Sequence, residues 1–261
     1  MSKDWSDLKA RVLSSIGMTI LGIGAIIIGG VWFQMLAVFA IAVMVWELWM
    51  MIEPERPTPG MLIAAVAASL LSGIITAEKN LIVFMFLILP VIGAVTIRRE
   101  RRAFFLFSLA MLLCGWALVS FREEQGLIWL LWLIGVVVIT DVFGYFAGRT
   151  LGGPKFWPAI SPKKTWSGTL AGWVGAAILG AALMPYTNAG FSMIWISVLL
   201  SFASQMGDIA ESALKRRMTV KDSSTLIPGH GGLFDRFDGL LGATLAMLLA
   251  AQFTAVPEVL F

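Results

Sequence analysis

Nine stretches of predominantly apolar residues follow one another along this 261-residue chain. Each is long enough to cross a bilayer, whose hydrocarbon core requires a helix of about 20 apolar residues. Lipid offers no partner for backbone N–H and C=O groups, so such segments must satisfy these groups internally as helices. The pattern therefore predicts an all-α fold, a polytopic transmembrane bundle of about nine spans that forms a single membrane domain over 1–261.

The composition supports this interpretation, because 59% of the residues are apolar and only 13% are charged. Soluble domains carry about 25% charged residues, so this chain lacks the polar surface that a water-soluble body needs. The first span follows a charged segment, as a secretory signal does, but its length and the span directly after it favour an uncleaved helix. The predicted spans cover residues 12–30, 31–52, 59–77, 80–97, 103–120, 127–148, 168–186, 191–214 and 236–256.

The distribution of Lys and Arg predicts the orientation, because cytoplasmic loops are enriched in these residues. With a cytoplasmic N-terminus and nine spans, only Lys79 and Arg122 of the 19 basic residues fall outside. The C-terminus then lies outside as well. We expect a protein integral to the cell (cytoplasmic) membrane, with its functional site facing the cytoplasm. The formal net charge of +3 is no argument for a nucleic-acid partner, and none is expected.

Two predicted cytoplasmic loops are rich in residues that membrane packing does not require. The first, 149–167, combines glycine, proline and tryptophan with Lys163 and Lys164. The second, 215–235, combines basic residues with a glycine-rich run. The two lysines could instead be simple anchors at the membrane interface. Because residues 1–140 form an N-terminal helical half without such a loop, we place the functional residues within 141–239.

Carboxylates lie near the cytoplasmic ends of three predicted helices. They are Asp141 in the sixth helix, Asp208 and Glu211 in the eighth, and Asp235 and Asp238 in the ninth. Ionisable side chains inside a span are costly and generally face the interior of a bundle. The polar residues of the eighth helix recur at steps of three and four, which places them on one face. Together these features predict a functional site rather than a set of unrelated charges.

Structural interpretations compete with a functional one for individual residues. Asp235 could be a helix N-cap, and Asp238 could be favoured in the first turn by the helix dipole. Asp208 could form an ion pair with Lys215 or Arg216. As a group, oxygen ligands without a His or Cys cluster favour Mg²⁺, and basic residues beside glycine turns suit phosphate oxygens. The residues therefore predict a metal-assisted phosphate site.

The stretch 212–238 resembles the signature of phosphatidate cytidylyltransferases, also called CDP-diacylglycerol synthases. The resemblance is carried by Ser212-Ala213-Leu214-Lys215-Arg216, Lys221-Asp222, Pro228-Gly229-His230-Gly231-Gly232-Leu233 and Asp235-Arg236-Phe237-Asp238. A second segment, Ser161-Pro162-Lys163-Lys164-Thr165-Trp166, resembles another motif of that family. The family usually has an acidic residue before the following glycine, whereas this chain has Ser167 before Gly168.

The resemblance implies an enzyme that transfers CMP from CTP to phosphatidic acid, giving CDP-diacylglycerol and pyrophosphate for phospholipid biosynthesis. It also implies Mg²⁺, with a second cation left open. The metal ligands would be Asp208 and Asp235, with Asp141 and Glu211 as further candidates. The catalytic residues would be Asp208, Asp235, Lys215, Lys221 and Arg236. Substrate would be bound by Lys163, Lys164, Ser212, Arg216, Asp222, Gly229, His230, Gly231, Gly232 and Asp238.

Two other functions are compatible with parts of the pattern. A CTP-dependent kinase for polyprenol or phytol would use similar substrates, but the intact signature argues against it. An ion-coupled transporter would also carry acids inside its spans, yet such proteins often show internal repeats, and no convincing repeat is visible here. His230 could be structural or could contact phosphate. The glycine-rich helix faces suit either a homodimer or internal packing.

Overall fold

The computed structural model describes residues 5–77, 79–227 and 231–252, with side chains described for 16–77, 83–227 and 231–252. Within these residues the chain forms nine α-helices, one for each predicted span. They are α1 Trp5–Ile28, α2 Gly30–Ile52, α3 Pro57–Thr76, α4 Lys79–Thr96, α5 Arg101–Glu124, α6 Leu127–Thr150, α7 Trp166–Leu183, α8 Ser192–Arg217 and α9 Phe234–Ala250. A 3₁₀ turn, Met184–Tyr186, extends α7.

Six helical segments are long and apolar enough to cross a membrane, with mean hydropathies from 1.4 to 2.3 in the part of the chain that is described. They are α2, α3, α5, α6, α8, and α7 together with its 3₁₀ turn. Shorter apolar segments occupy Ile16–Ile28 and Val83–Thr96. The helical, membrane-integral architecture predicted from the sequence is therefore confirmed. The count of nine crossings and the orientation of the termini stay predictions.

The chain divides into two compact units. The N-terminal unit combines the residues up to Glu123 with Met218–Arg236, and the C-terminal unit combines Glu124–Arg217 with the residues from Phe237 onward. The helix α9 begins in the first of these units and continues in the second.

Close helix packing in the N-terminal unit depends on small residues. A Cβ at Gly115 of α5 would lie 2.7 Å from side-chain atoms of both Ile41 in α2 and Leu71 in α3. The glycine thus lets three helices meet closely, as small residues do in membrane bundles. At the end of α1, the Arg122 Nε donates to the Ile26 carbonyl at 3.0 Å and so satisfies a group that a helix end leaves unbonded.

The C-terminal unit packs α6, α7, α8 and the later part of α9 through glycines and buried polar pairs. A Cβ at Gly144 would lie 3.4 Å from the Gly168 carbonyl oxygen, and one at Gly242 would lie 3.0 Å from the Gly207 Cα. Thr140 and Ser201 share a hydrogen bond of 2.7 Å inside the helix bundle. These glycines therefore serve internal packing, and the homodimer stays a prediction.

The predicted loop 149–167 contains a small antiparallel hairpin, an addition to the all-helical expectation. Its strands are β1 Lys155–Trp157 and β2 Ser161–Thr165, with Lys155 opposite Thr165. Thr165 ends the hairpin and caps α7, because its Oγ1 accepts from the Gly168 N–H at 3.2 Å. Strands of three and five residues are too short to show a recognisable alternation of polar and apolar residues in the sequence.

Candidate functional site

Three carboxylates meet in the C-terminal unit. Oxygens of Asp208, Glu211 and Asp238 all lie within 4.8 Å of one another. Asp208 and Glu211 are one helical step apart on the polar face of α8. Asp238 reaches them because α9 passes directly over Gly207, where a Cβ would collide with the Asp238 carbonyl oxygen. The glycine in α8 is thus the local reason that the acids of two helices can share one place.

Two lysines neutralise part of this cluster. The Lys164 Nζ lies 2.6 Å from Asp208 Oδ2, and the Lys215 Nζ lies 2.6 Å from Glu211 Oε2. Ser212 adds a hydrogen bond from its Oγ to Asp208 Oδ1 at 3.2 Å. Glu211 is fully buried, whereas 36% of the Asp208 side chain is exposed. Asp208 is therefore more accessible to a ligand from solvent than Glu211 is.

The donor set suits a hard divalent cation. It consists of carboxylate oxygens from two helices, and oxygen is the ligand atom that Mg²⁺ takes in proteins. Mg²⁺ usually keeps water and phosphate in part of its shell, so few protein carboxylates suffice. Asp208, Glu211 and Asp238 therefore fit the metal that the sequence predicts. The family resemblance implies a substrate-binding role for Asp238, and the structure places this residue beside Asp208.

A cavity of about 330 Å³ opens beside α6, α7 and the hairpin. Its wall includes Asp141, Lys163 and Lys164, all predicted as site residues. It also includes Tyr145 and Arg149, joined by a 2.6 Å hydrogen bond from the Arg149 guanidinium to the Tyr145 hydroxyl. Since Lys164 both lines this cavity and pairs with Asp208, one side chain connects the cavity to the carboxylate cluster.

The residues between α8 and α9, 218–233, are called the signature loop here. Asp235, in the first turn of α9, holds the described part of this loop. Its Oδ2 accepts from the Ser223 N–H, the Ser223 hydroxyl and the Gly232 N–H, each at 2.8 Å. Gly231 has a φ of +80°, and a Cβ there would lie 2.8 Å from Asp235 Oδ2. Glycine at 231 is thus required by backbone conformation and by space.

These bonds bear on the predicted phosphate-binding role of the glycine run. The Gly232 N–H is donated to Asp235, so this group is already engaged in the structure. Lys221, Asp222 and Arg236, by contrast, have exposed side chains. These exposed side chains are therefore better placed to contact substrate than the Gly232 N–H, which is already bonded. Gly229 and His230 lie outside the described residues.

The loop has a second anchor, the buried Glu47, which the sequence places near the inner end of the second span, on the same inner surface as the other acids. Glu47 of α2 is 0% exposed. Its Oε1 accepts from the Ser224 hydroxyl at 2.6 Å and the Leu233 N–H at 2.9 Å, and its Oε2 accepts from the Phe234 N–H at 2.7 Å. The available signal was a lone acid in a strongly apolar span, but its partners lie 176 to 187 residues away in the chain.

The structure distributes the predicted residues between the two units. The C-terminal unit holds Asp141, Lys163, Lys164, Asp208, Glu211, Ser212, Lys215, Arg216 and Asp238, and the N-terminal unit holds Lys221, Asp222, Gly231, Gly232, Asp235 and Arg236. Arg216 extends to the hairpin, where its Nε donates to the Ile160 carbonyl at 3.3 Å. The pairing of Asp208 with Asp235 as metal ligands stays a prediction.

Comparison with known proteins covers nearly the whole chain. A sequence model of the cytidylyltransferase family matches residues 9–254. The phosphatidate cytidylyltransferase of Brucella abortus is 34% identical over 264 residues, which span 98% of this chain and 97% of the relative. The phosphatidate cytidylyltransferase of Staphylococcus saprophyticus is 34% identical over 172 residues, or 62% of this chain and 65% of the relative. The likeness thus extends well beyond the signature, into the N-terminal helices.

Proposed function

The chain belongs to the cytidylyltransferase family, and on this premise we propose that it transfers CMP from CTP to phosphatidic acid, releasing CDP-diacylglycerol and pyrophosphate. The observation that carries the proposal is the meeting of three carboxylates with Lys164 and Lys215, beside a cavity lined by basic residues. Such a site can bind anionic phosphates and a cation at once. A transfer between two phosphate-bearing substrates requires both.

The reaction needs little covalent chemistry from the protein. A phosphate oxygen of phosphatidic acid forms a bond to the α-phosphorus of CTP. The bond from that phosphorus to the oxygen bridging to the β-phosphorus breaks, and its electron pair leaves with pyrophosphate. Because the second pKa of a phosphomonoester is about 6, the attacking oxygen is already anionic near neutral pH. No general base is required, and positioning with charge stabilisation supplies the catalysis.

The C-terminal unit supplies the charge. Asp208, Glu211 and Asp238 would hold Mg²⁺, and a second cation remains open. When bound, Mg²⁺ supplies positive charge that offsets the repulsion between the two anions and the charge developing on pyrophosphate. Lys164 and Lys215, which pair with Asp208 and Glu211 in the structure, would then be available to bind phosphate oxygens. Lys163 and Lys164, on the cavity wall, receive the head group of phosphatidic acid.

The signature loop supplies the remaining contacts. Lys221 and Arg236 present exposed cationic side chains that suit the phosphates of a nucleotide. Asp235 orders this loop through its three hydrogen bonds and stays a predicted cation ligand.

The protein works in the cell membrane, with its site on the cytoplasmic side. CTP is a soluble nucleotide and phosphatidic acid is held in the bilayer, so the reaction must take place where both can reach. The Lys and Arg distribution supports a cytoplasmic N-terminus and an outer C-terminus, with nine crossings. The loops that carry the proposed site residues then face the cytoplasm.

The test is a direct assay of the purified protein in detergent with phosphatidic acid, labelled CTP and Mg²⁺. We expect CDP-diacylglycerol and pyrophosphate to form in equal amounts, and only when Mg²⁺ is present. Release of CDP with a phosphorylated lipid alcohol would identify a CTP-dependent kinase instead. Folded protein that forms neither product would disprove the proposed activity.

A further inference from the structure

Glu47 is buried in the N-terminal unit, yet all of its described hydrogen bonds lead to the signature loop and the start of α9. It has no exposed surface. Its carboxylate accepts from the Ser224 hydroxyl and from the N–H groups of Leu233 and Phe234, between 2.6 and 2.9 Å. An ionised carboxylate is costly to bury unless it is well hydrogen-bonded. A carboxylate satisfied in this way therefore fixes the position of whatever donates to it.

The donors explain why a carboxylate suits this place. Phe234 is the first residue of α9, and the N–H groups at a helix start have no partner within the helix. The helix dipole also favours a negative charge there. Glu47 thus caps α9 from a different helix, with one oxygen for Phe234 and the other shared by Leu233 and Ser224. A neutral amide has only one acceptor oxygen and could not make the same set of bonds.

Glu47 and Asp235 hold the loop from two sides. Ser223 Oγ lies 2.8 Å from Asp235 Oδ2 and 3.5 Å from Glu47 Oε2. Gly232 lies between them, because its N–H donates to Asp235 and a Cβ on it would lie 2.5 Å from Glu47 Oε1. The loop, the start of α9 and α2 are therefore joined by one hydrogen-bonded network in which the absence of a side chain at 232 is required.

We propose that Glu47 is a positioning residue for CTP, which it serves by fixing the signature loop and the first turn of α9. The proposal rests on the proposed function, in which Lys221 and Arg236 hold the nucleotide phosphates. Glu47 itself touches neither substrate. It acts through the backbone N–H groups of Leu233 and Phe234. By holding these groups it fixes the position of the Arg236 backbone in the first turn of α9.

The matched comparison is Glu47→Gln with Glu53→Gln. Glu53 is a second buried acid at the end of α2, with 1% exposure. Its carboxylate accepts from the Arg98 N–H and from the Arg56 guanidinium, and both partners lie outside the signature loop. The two variants make the same chemical change, one within α2 and one at its C-cap. Only Glu47→Gln is expected to disturb the loop.

We expect Glu47→Gln to lower kcat/KM for CTP by about 10- to 100-fold, with a raised KM for CTP, because small misplacements of contact residues have effects of this size. The KM for phosphatidic acid should change far less. Glu53→Gln should lower the melting temperature but leave both KM values near wild type. Ser224→Ala, which removes one bond to Glu47 and the acceptor of the Leu226 N–H, should give a smaller change in the same direction. It also provides a variant that folds if Glu47→Gln does not.

Hydrogen exchange provides a readout that needs no activity. The amides of Leu233 and Phe234 should exchange faster in Glu47→Gln than in wild type or Glu53→Gln. An active wild type together with a Glu47→Gln variant that keeps its KM for CTP and its amide protection would overturn the proposal. If wild type makes no CDP-diacylglycerol while Glu47→Gln still loses protection, the proposed function fails and the anchor remains. Equal kinetic losses in both glutamine variants would reduce Glu47 to a structural role.

Discussion

Two pairs of carboxylates in this protein, Asp208 with Glu211 and Glu47 with Asp235, differ in what satisfies them. In the C-terminal unit, Asp208 and Glu211 are paired with the cationic ends of Lys164 and Lys215. In the N-terminal unit, Glu47 and Asp235 accept from backbone N–H groups and serine hydroxyls. A lysine can leave its carboxylate for a phosphate, and a cation can take its place. A backbone N–H cannot leave without unfolding the segment that carries it.

This difference separates carboxylates suited to take part in the reaction from carboxylates suited to position a loop. Carboxylates that can exchange their partners are suited to bind a metal ion during turnover, and those bonded to the backbone are suited to hold a loop in place. Both groups consist of the same residue types at helix ends, so residue identity alone does not tell them apart. The two groups are distinguished by their hydrogen-bond donors. Substitutions in the two groups should therefore impair the enzyme in different ways.

The largest effect is expected from Asp208→Asn. This change keeps the size of the side chain but removes the charge that pairs with Lys164 and that would hold the cation. We expect the turnover of CTP to fall by about 100-fold or more, since removal of one electrostatic contact at a reacting centre commonly costs that much. Initial rates at saturating phosphatidic acid measure it.

The matched control for Asp208→Asn is Glu55→Gln, an exposed acid between α2 and α3. It should retain wild-type turnover. The melting temperature of Asp208→Asn should stay near that of wild type, because Asp208 is partly exposed. An Asp208→Asn variant that is fully active at limiting Mg²⁺ would show that Asp208 is not a cation ligand. The proposed catalytic role of the lysine-paired carboxylates would then be wrong.

A moderate effect is expected at the adjacent lysines of the hairpin. Lys164 pairs with Asp208 and donates to the Gln205 carbonyl at 3.3 Å, whereas Lys163 is exposed on the cavity wall. Hydrogen bonds to charged groups are worth about 1.5–3 kcal/mol, and each 1.36 kcal/mol is about tenfold in rate. Lys164→Gln should thus lower kcat/KM for phosphatidic acid by roughly 10- to 100-fold, and Lys163→Gln by about threefold or less.

Steady-state kinetics with phosphatidic acid in mixed micelles compares the two lysine variants. Each serves as the control for the other, because they carry the same change one residue apart. Equal losses would mean that Lys164 gains nothing from its place beside the carboxylate cluster. In that case both lysines would act as general anchors for an anionic surface, the alternative left open by the sequence.

The sequence predicted the helices well and the partners of the acids poorly. Spans are local, because about 20 apolar residues define each one wherever the chain places it. The convergence of Asp208 and Glu211 was also local, since helical steps set it. By contrast, Asp238 joins them only because Gly207 admits α9, and Glu47 meets donors 176 to 187 residues away. Such contacts depend on helix packing, which a single sequence does not display.

The smallest effect is expected from Gly232→Ala. This variant tests whether the backbone-bonded carboxylates hold the signature loop in a fixed position. A Cβ at 232 would collide with the Ser223 hydroxyl and lie 2.5 Å from Glu47 Oε1. Overpacking of this kind costs about 1–3 kcal/mol. We expect a lower melting temperature and a raised KM for CTP, because the methyl group must displace the carboxylate that holds the loop.

Gly126→Ala separates crowding from backbone strain. Gly126 has a φ of +86°, so alanine there is strained, but a Cβ would meet no atom of the described residues within 4 Å. Its cost is that of the strained backbone alone, about 1–3 kcal/mol, because a φ of +86° with a ψ of −177° is a conformation that glycine adopts far more readily than alanine. We therefore expect a similar loss of stability from both alanines, but a change in KM for CTP only at 232. If Gly232→Ala is as stable as wild type and binds CTP normally, the hydrogen-bonded network around Glu47 can rearrange without cost. Glu47 would then resemble the lysine-paired carboxylates, and the backbone-bonded carboxylates would not hold the loop in a fixed position.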